Sequence, residues 1–175
     1  VVRDPCLPKT AWPPTLDQSV RAILELSKRD FFDQLDFEVY GDGDYYDVLL
    51  APIKRFKNVH LHRTFIPNDK ISDIHKECGI LLIPSRHDSQ GVAMGEGAAS
   101  GLVVVGSNVT CVPYFMGEEK FHTLADPENP VELADIIERL YRNPDDFLRI
   151  SEEMSKHIRS ICNISHTVKK EIELI

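Results

Sequence analysis

Asp88 and Glu96 stand with seven residues between them, in the stretch DSQGVAMGEGAASGLVVV that occupies positions 88 to 105. Glycines 91, 95 and 97 lie between or beside the two acids, an apolar run ends just before them, and another follows. A glycine directly after a strand lets backbone approach a ligand closely. A helix that starts there turns its free amides and its positive dipole end toward the same spot, which suits a phosphate. Glu96 falls about one and a half turns into that helix, pointing along the crevice or into solvent. A structural reading fits the same spacing. Gly95, Gly97, Ala98 and Ala99 are small enough for a helix to lie tight on a sheet, with both acids solvated. Spacing alone leaves the two readings open.

The elements that must position these residues follow from hydrophobic periodicity. Val1 and Val2 read as the stump of a strand, followed by a proline-rich loop through Pro14. Thr15 and Gln18 form a capping-box pattern, and Leu16, Val20, Ile23 and Leu24 supply a helical apolar face. DFEVY predicts a strand running into the GDG turn, and Tyr45 to about Ile53 a helix. NVHLHRTF alternates with period two and predicts a strand. Next comes a helix through Ile71, Ile74 and Cys78, capped by Asn68 and stopped by Gly79. ILLIPS and LVVVGS are continuous apolar runs, the signature of strands buried on both faces of a parallel sheet. FHTLA predicts a short later strand. Asn129 with Pro130, then Asn143 with Pro144 and Asp146, each start a helix, and the C-terminal residues also read as helical. Strands alternating with helices predict a single α/β domain over residues 1–175: a Rossmann-like, doubly wound parallel sheet with helices on both faces. Ligands in that architecture bind beyond the carboxyl ends of the strands.

Composition narrows the function classes. At 175 residues, 42% hydrophobic and 27% charged, the chain has the balance of one globular domain. A formal charge of −8 argues against general nucleic-acid binding, although it leaves room for a local anion pocket. No run approaches the length needed to cross a bilayer, and no signal peptide is evident. The four cysteines, at 6, 78, 111 and 162, form no CxxC pair, so reduced thiols in the cytoplasm are expected.

Several patterns suggest other chemistry. Asp42 and Asp44 have a DxD spacing that can hold a metal, but the glycines around them mark a tight turn after a strand. The same GDG lacks the third glycine of a dinucleotide-binding turn. His60 and His62 share one strand face without an evident third ligand, so they read as sheet-packing or surface histidines. His87, beside Asp88, is either a site-lining group or a loop residue. No metal or cofactor is expected.

Asp88, Gly91, Glu96, Ala99 and Gly101, followed by VVV, resemble the donor-side signature of retaining GT-B glycosyltransferases: an acid, seven residues, then a glutamate. Pro84 and Ser85, FEVYGDG and NVHLHRTFIPNDKISDIHKECGILLIPS stand where that family has similar blocks. The resemblance runs from Arg3 to about Tyr141. It implies that the chain is one half of a GT-B fold, the C-terminal half that binds a nucleoside-diphosphate sugar of UDP, GDP or ADP type. The resemblance also implies roles. Arg3 and Lys9 match the pair that grips the leaving diphosphate, with a gap about one residue longer than usual. Asp88 matches the acid near the sugar or reacting centre, and Glu96 the acid that holds ribose hydroxyls. Gly91 and Val92 match positions whose amides approach the donor, and Arg63, Thr64 and Phe65 lie where the base rests.

Departures from the family pattern are Asp88 for the usual glutamate, Gln90 for an aromatic, Gly95 for a larger apolar residue, Val103 for proline, and Tyr114 where a glutamate is frequent. The function implied is metal-independent sugar transfer with retention, in carbohydrate biosynthesis. The chain opens on the first donor-half strand, so a fragment is expected whose N-terminal acceptor domain is absent, and transfer by the isolated domain should be poor or nil. That missing half is also where peripheral membrane attachment would reside. The alternatives are a sugar phosphorylase or nucleotide-sugar epimerase on the same fold, or a non-catalytic nucleotide-binding module.

Overall fold

The structure is a computed structural model that describes residues 2–3, 16–88, 91–163, 168 and 172, the first two through their backbone. Among the described residues, six strands form one parallel sheet: β1 (Val2–Arg3), β2 (Phe37–Gly41), β3 (Val59–Arg63), β4 (Ile80–Ile83), β5 (Val103–Ser107) and β6 (Leu124–Ala125). Their spatial order is β3-β2-β1-β4-β5-β6. The chain therefore winds outward from β1 to one edge, crosses over, and winds outward again from β4. With right-handed crossovers, helices after β1 and β4 fall on opposite faces. Helix α1 (Leu16–Leu26) packs against α7 (Pro130–Arg142) in one layer, and α4 (Val92–Ala99) against α8 (Pro144–Ile161) in the other. This is the doubly wound α/β fold expected.

The two apolar runs are the middle of the core. Val103, Val104 and Val105 are wholly buried, as are Leu81, Leu82 and Ile83 to within a few percent. Each such side chain contributes about 1.5–3 kcal/mol of transfer free energy. The neighbouring strands keep register, with Ile80 to Ile83 opposite Val103 to Gly106. Helix α4 must come close to satisfy this packing. A β-carbon on Gly97 would stand 2.5 Å from Leu81 Cδ2 and 3.5 Å from Leu81 Cβ. Above Gly95 sits the ring of Phe115, from α5 (Val112–Met116), 3.1 Å from where a β-carbon would be. Gly95 and Gly97, on either side of Glu96, therefore do serve close packing.

Boundaries differ from expectation in three places. Helix α2 (Tyr46–Leu50) ends short of Ile53, which is buried in the turns that follow. Helix α3 (Asn68–Lys76) is entered from Pro67, whose φ of −59° is already set for the turn, so Asn68 is the first helical residue and not the cap. It ends three residues before Gly79, whose missing side chain instead admits the Phe147 ring. In FHTLA only Leu124 and Ala125 pair with β5. Phe121 ends α6 (Glu118–Phe121) and His122 takes a left-handed conformation. Asn129 does cap α7, accepting from Glu132 N at 3.2 Å, with Pro130 as the first helical residue. Asn143 and Pro144 start α8 as expected, but the Asn143 side chain donates to Arg139 O at 2.7 Å and does not cap. Thr15 lies outside the described residues.

Gly97→Val forces a branched side chain into Leu81. Its expected cost is about 1–3 kcal/mol, read as a lower urea midpoint at unchanged slope. An unchanged midpoint would show that α4 can retreat from β4 freely.

Candidate functional site

The strand order reverses between β1 and β4, so their carboxyl ends open a crevice at which α1 and α4 both begin. Arg3 closes β1 in register with Tyr40, and Val2 pairs with Val39 and Leu82, which puts the Arg3 backbone at this end. The Arg3 side chain, and Lys9 altogether, lie outside the described residues.

The β4 exit is tightly held. Pro84 and Ser85 are buried, and Ser85 N donates to Ser107 Oγ at 3.1 Å, tying the end of β4 to the end of β5. Arg86 donates from Nη1 and Nη2 to the two carboxylate oxygens of Asp17 on α1, each at 2.8 Å, and from Nε to Glu128 at 2.7 Å. His87 is exposed. The Asp88 carboxylate accepts from Gly91 N at 2.7 Å, and its carbonyl accepts from the Thr110 hydroxyl. Gly91 is buried in the left-handed region, φ 66° and ψ 39°, and leads directly into α4. The structure thus joins Asp88 to Gly91 through a carboxylate-to-amide hydrogen bond, a use of the acid that spacing did not reveal. The arrangement requires glycine at position 91 for its backbone and an acceptor at position 88.

Val92 and Glu96, one helical turn apart, share the exposed ridge of α4 with Ala99, and Val92 is 60% exposed. This ridge lines a groove of about 540 Å³, closed on its far side by Phe115 and by Ile158 and Arg159 of α8. Glu96 is exposed and stands away from the β3 side of the rim. It lies in a groove with an arginine on its opposite wall.

Arg63, Thr64 and Phe65 sit at the end of β3, with Phe65 exposed. Arg63 is committed to the turn after β2: Nε donates to Asp42 and Nη1 to Asp47, both at 2.8 Å, and the guanidinium stands 5.3 Å from the Tyr46 ring centroid. The Arg63 hydrogen bond is the main cause that holds the Asp42 carboxyl below its ordinary pKa, and the Gly43 amide adds to it. Asp42 of the GDG turn is thus an anchor for Arg63. His60 and His62 also find carboxylates. His62 Nε2 lies 2.6 Å from Glu38 while its ring stacks on Tyr40, and His60 lies 3.7 Å from Asp36. Among the described residues, no three His, Cys, Asp or Glu side chains are grouped to hold a metal ion. None of the described helices is long and apolar enough to cross a membrane.

A larger cavity, about 730 Å³, lies toward the other end of the sheet, where β2 and β4 run on past the described residues of β1. Phe37, Ile80, Leu82, Leu140 and Phe147 line it with Glu38. Its position at the amino ends of the strands is opposite to the switch point.

Asp17, Glu128 and Asp47 had no motif in the sequence. Arg86 and Asp17 are separated by 69 positions, and the pairing of β1 with β4 brings their parts of the chain together.

The parallel sheet flanked by helices is an α/β Rossmann-like fold, the architecture of one half of a GT-B glycosyltransferase. The chain belongs to the family described as Glycosyl transferases group 1, which matches residues 12–143. It is similar to the D-inositol 3-phosphate glycosyltransferase of Corynebacterium glutamicum (strain R), 26% identical over 94 residues, 54% of this chain and 22% of that protein. The matched region thus spans about a fifth of the curated relative. Among solved structures it resembles a TarM variant of S. aureus in complex with fondaparinux, alpha-GlcNAc-glycerol and UDP, with a TM-score of 0.76 at 19% identity, over 98% of this chain and 37% of that one. It also resembles the C-terminal domain of the group 1 family protein LpcC from Francisella tularensis, with a TM-score of 0.70 at 16% identity, over 85% of this chain and 79% of that domain.

Replacing Gly91 by Ala should cost about 1–2 kcal/mol, because a β-carbon is strained at positive φ. Asp88→Ala should cost about 0.5–1.5 kcal/mol for the lost Gly91 bond, and Asp88→Asn less, since an acceptor remains. Thermal unfolding of the three variants checks the order. Equal stability of Asp88→Ala and wild type would sink the turn's importance.

Proposed function

We propose that this domain is the donor-binding, C-terminal half of a retaining, metal-independent glycosyltransferase. It would take a UDP, GDP or ADP sugar and act with an acceptor-binding half outside this chain. One observation carries the reading: a buried, left-handed Gly91 delivers the start of α4 to the crevice where β1 and β4 diverge, in a chain of this family. The first-turn amides of α4 are donors for an anion, and no side chain at Gly91 stands in the way.

Negative charge grows on the diphosphate as the sugar–phosphate bond breaks. Fixed dipoles and the cations assigned to Arg3 and Lys9 stabilise it more than they stabilise the intact donor. Glu96, one turn beyond Val92 on the same ridge, accepts from the ribose hydroxyls, and Asp88 lies beside the sugar. Arg63, Thr64 and Phe65 form the side of the rim assigned to the base. The retained configuration follows from the family likeness: the leaving phosphate assists the incoming hydroxyl on the same face of the sugar. Transfer needs the acceptor held across the cleft, so the isolated domain binds donor and turns over poorly. That LpcC was solved as a C-terminal domain of the same family, and TarM with UDP, supports the domain's place and UDP as the first probe. The unbridged thiols of Cys78 and Cys162 fit a cytoplasmic protein, with any membrane attachment residing in the other half.

Calorimetric titration of the folded chain with UDP, GDP and ADP should show saturable binding of one of them, and heat from none would overturn the reading. Glu96→Gln should weaken the bound nucleotide by about 1–2 kcal/mol, the value of a charged hydrogen bond at an exposed site. Full affinity in that variant would remove Glu96 from the site.

A further inference from the structure

The walls of the switch-point crevice are two helix starts on opposite faces of the sheet. Main-chain pairing of β1 with β4 holds the strands together below them, but the helix starts themselves rise beyond the last ladder bonds. Arg86 crosses that opening. It leaves the β4 exit two residues before Asp88 and makes a two-bond fork with Asp17, the second residue of α1. Its third nitrogen reaches Glu128 in the turn between β6 and α7, where Glu128 holds a positive φ of 62°. The Arg86 and Asp17 side chains are each only 18% exposed, so solvent and salt screen the fork weakly. The β4 exit, a helix start and a turn are thereby fastened to one side chain.

The chemistry at this position calls for arginine. A guanidinium offers a planar pair of donors that matches a carboxylate, and still has Nε free to point elsewhere. Lysine would carry the charge without fixing the spacing. The fork with Asp17 also raises the guanidinium's pKa above its ordinary value. With two carboxylates on it, Arg86 is a poor partner for a diphosphate, which would first have to break a fork of two short bonds.

We propose that Arg86 is a positioning residue for the nucleotide site. It sets the separation between the start of α1 and the start of α4, acting through Asp17 on one wall and through the Asp88–Gly91 turn on the other. The proposal rests on the donor-site reading above. Arg86 itself does not touch the nucleotide. Its effect is to hold the α4 amides at a fixed distance from the start of α1, so that binding energy is not spent on drawing the walls together.

The test uses the 175-residue chain and four variants: Arg86→Gln, Arg86→Lys, Asp17→Asn and the double change Arg86→Gln with Asp17→Asn. Two readings are taken well below the unfolding temperature: calorimetric affinity for UDP, GDP and ADP, and amide hydrogen exchange at Gly91 and Val92. Arg86→Gln and Arg86→Lys should both weaken the nucleotide that binds by about tenfold or more, as misplacement of a binding wall does. Asp17→Asn should do so too, and the double variant should be no worse than Arg86→Gln alone. Exchange at Gly91 and Val92 should quicken in the same variants. Full affinity in Arg86→Lys would overturn the proposal, because charge without the fork would suffice. A lower Tm with unchanged affinity and unchanged exchange would overturn it as well, leaving the ion pair a stability contact. If wild type binds none of the three nucleotides, the donor reading fails. Exchange then decides alone: unchanged protection at Gly91 and Val92 in Arg86→Gln overturns the positioning role, and faster exchange supports it.

Discussion

At Gly97 the backbone of α4 lies so near β4 that the Leu81 side chain fills the place of a β-carbon, and this close seat governs the geometry around it. A helix pressed onto a strand cannot slide or rotate without opening voids in a core packed to crystal density. Its amino end is therefore fixed relative to the end of β4, only a few residues away. The connection must then turn back sharply, which the left-handed backbone of Gly91 does. The same seat decides which α4 residues face outward: Val92, Glu96 and Ala99 form the ridge because Gly97 and Ala98 face the sheet.

Beyond the ends of the strands, apolar packing gives way to ion pairs. Loops at the rim cannot be buried, since their backbone groups need water or partners. The described rim is held instead by Arg63 on Asp42 and Asp47, and by Arg86 on Asp17 and Glu128. These pairs differ in worth. Arg63 and its partners are between 44% and 75% exposed, so salt screens them and each contributes little. The Arg86–Asp17 fork is mostly enclosed, so breaking it strands a charge that water reaches poorly. Both arginines are occupied by carboxylates.

The strands at 80–83 and 103–107 were legible because their composition is unambiguous: unbroken runs of Val, Leu and Ile can be stable only where both faces are covered. Helices α7 and α8 were legible because Asn-Pro starts are local chemistry. FHTLA was misjudged as one strand because Phe121 is buried by α6, and its apolar character says nothing about which element buries it. Gly79 looked like a helix stop, yet it is glycine because Phe147, 68 positions later, packs on it. Of the candidate site, the acid–glycine spacing at Asp88 and Gly91 was visible, while the Asp88 bond to the Gly91 amide was not.

What the sequence by itself determined is therefore the alternation of elements, the α/β class, the two apolar strands β4 and β5, and the glycine-bearing start of α4, all of which depend on periodicity or on contacts a few residues apart. Only the tertiary structure decided that Asp42 serves Arg63, that Asp17 and Glu128 serve Arg86, and that Glu96 shares a groove with Arg159. Those pairings join residues from distant parts of the chain across a rim assembled by right-handed crossovers. A charged residue's type names its partner's sign, but the path of the backbone through space selects the partner.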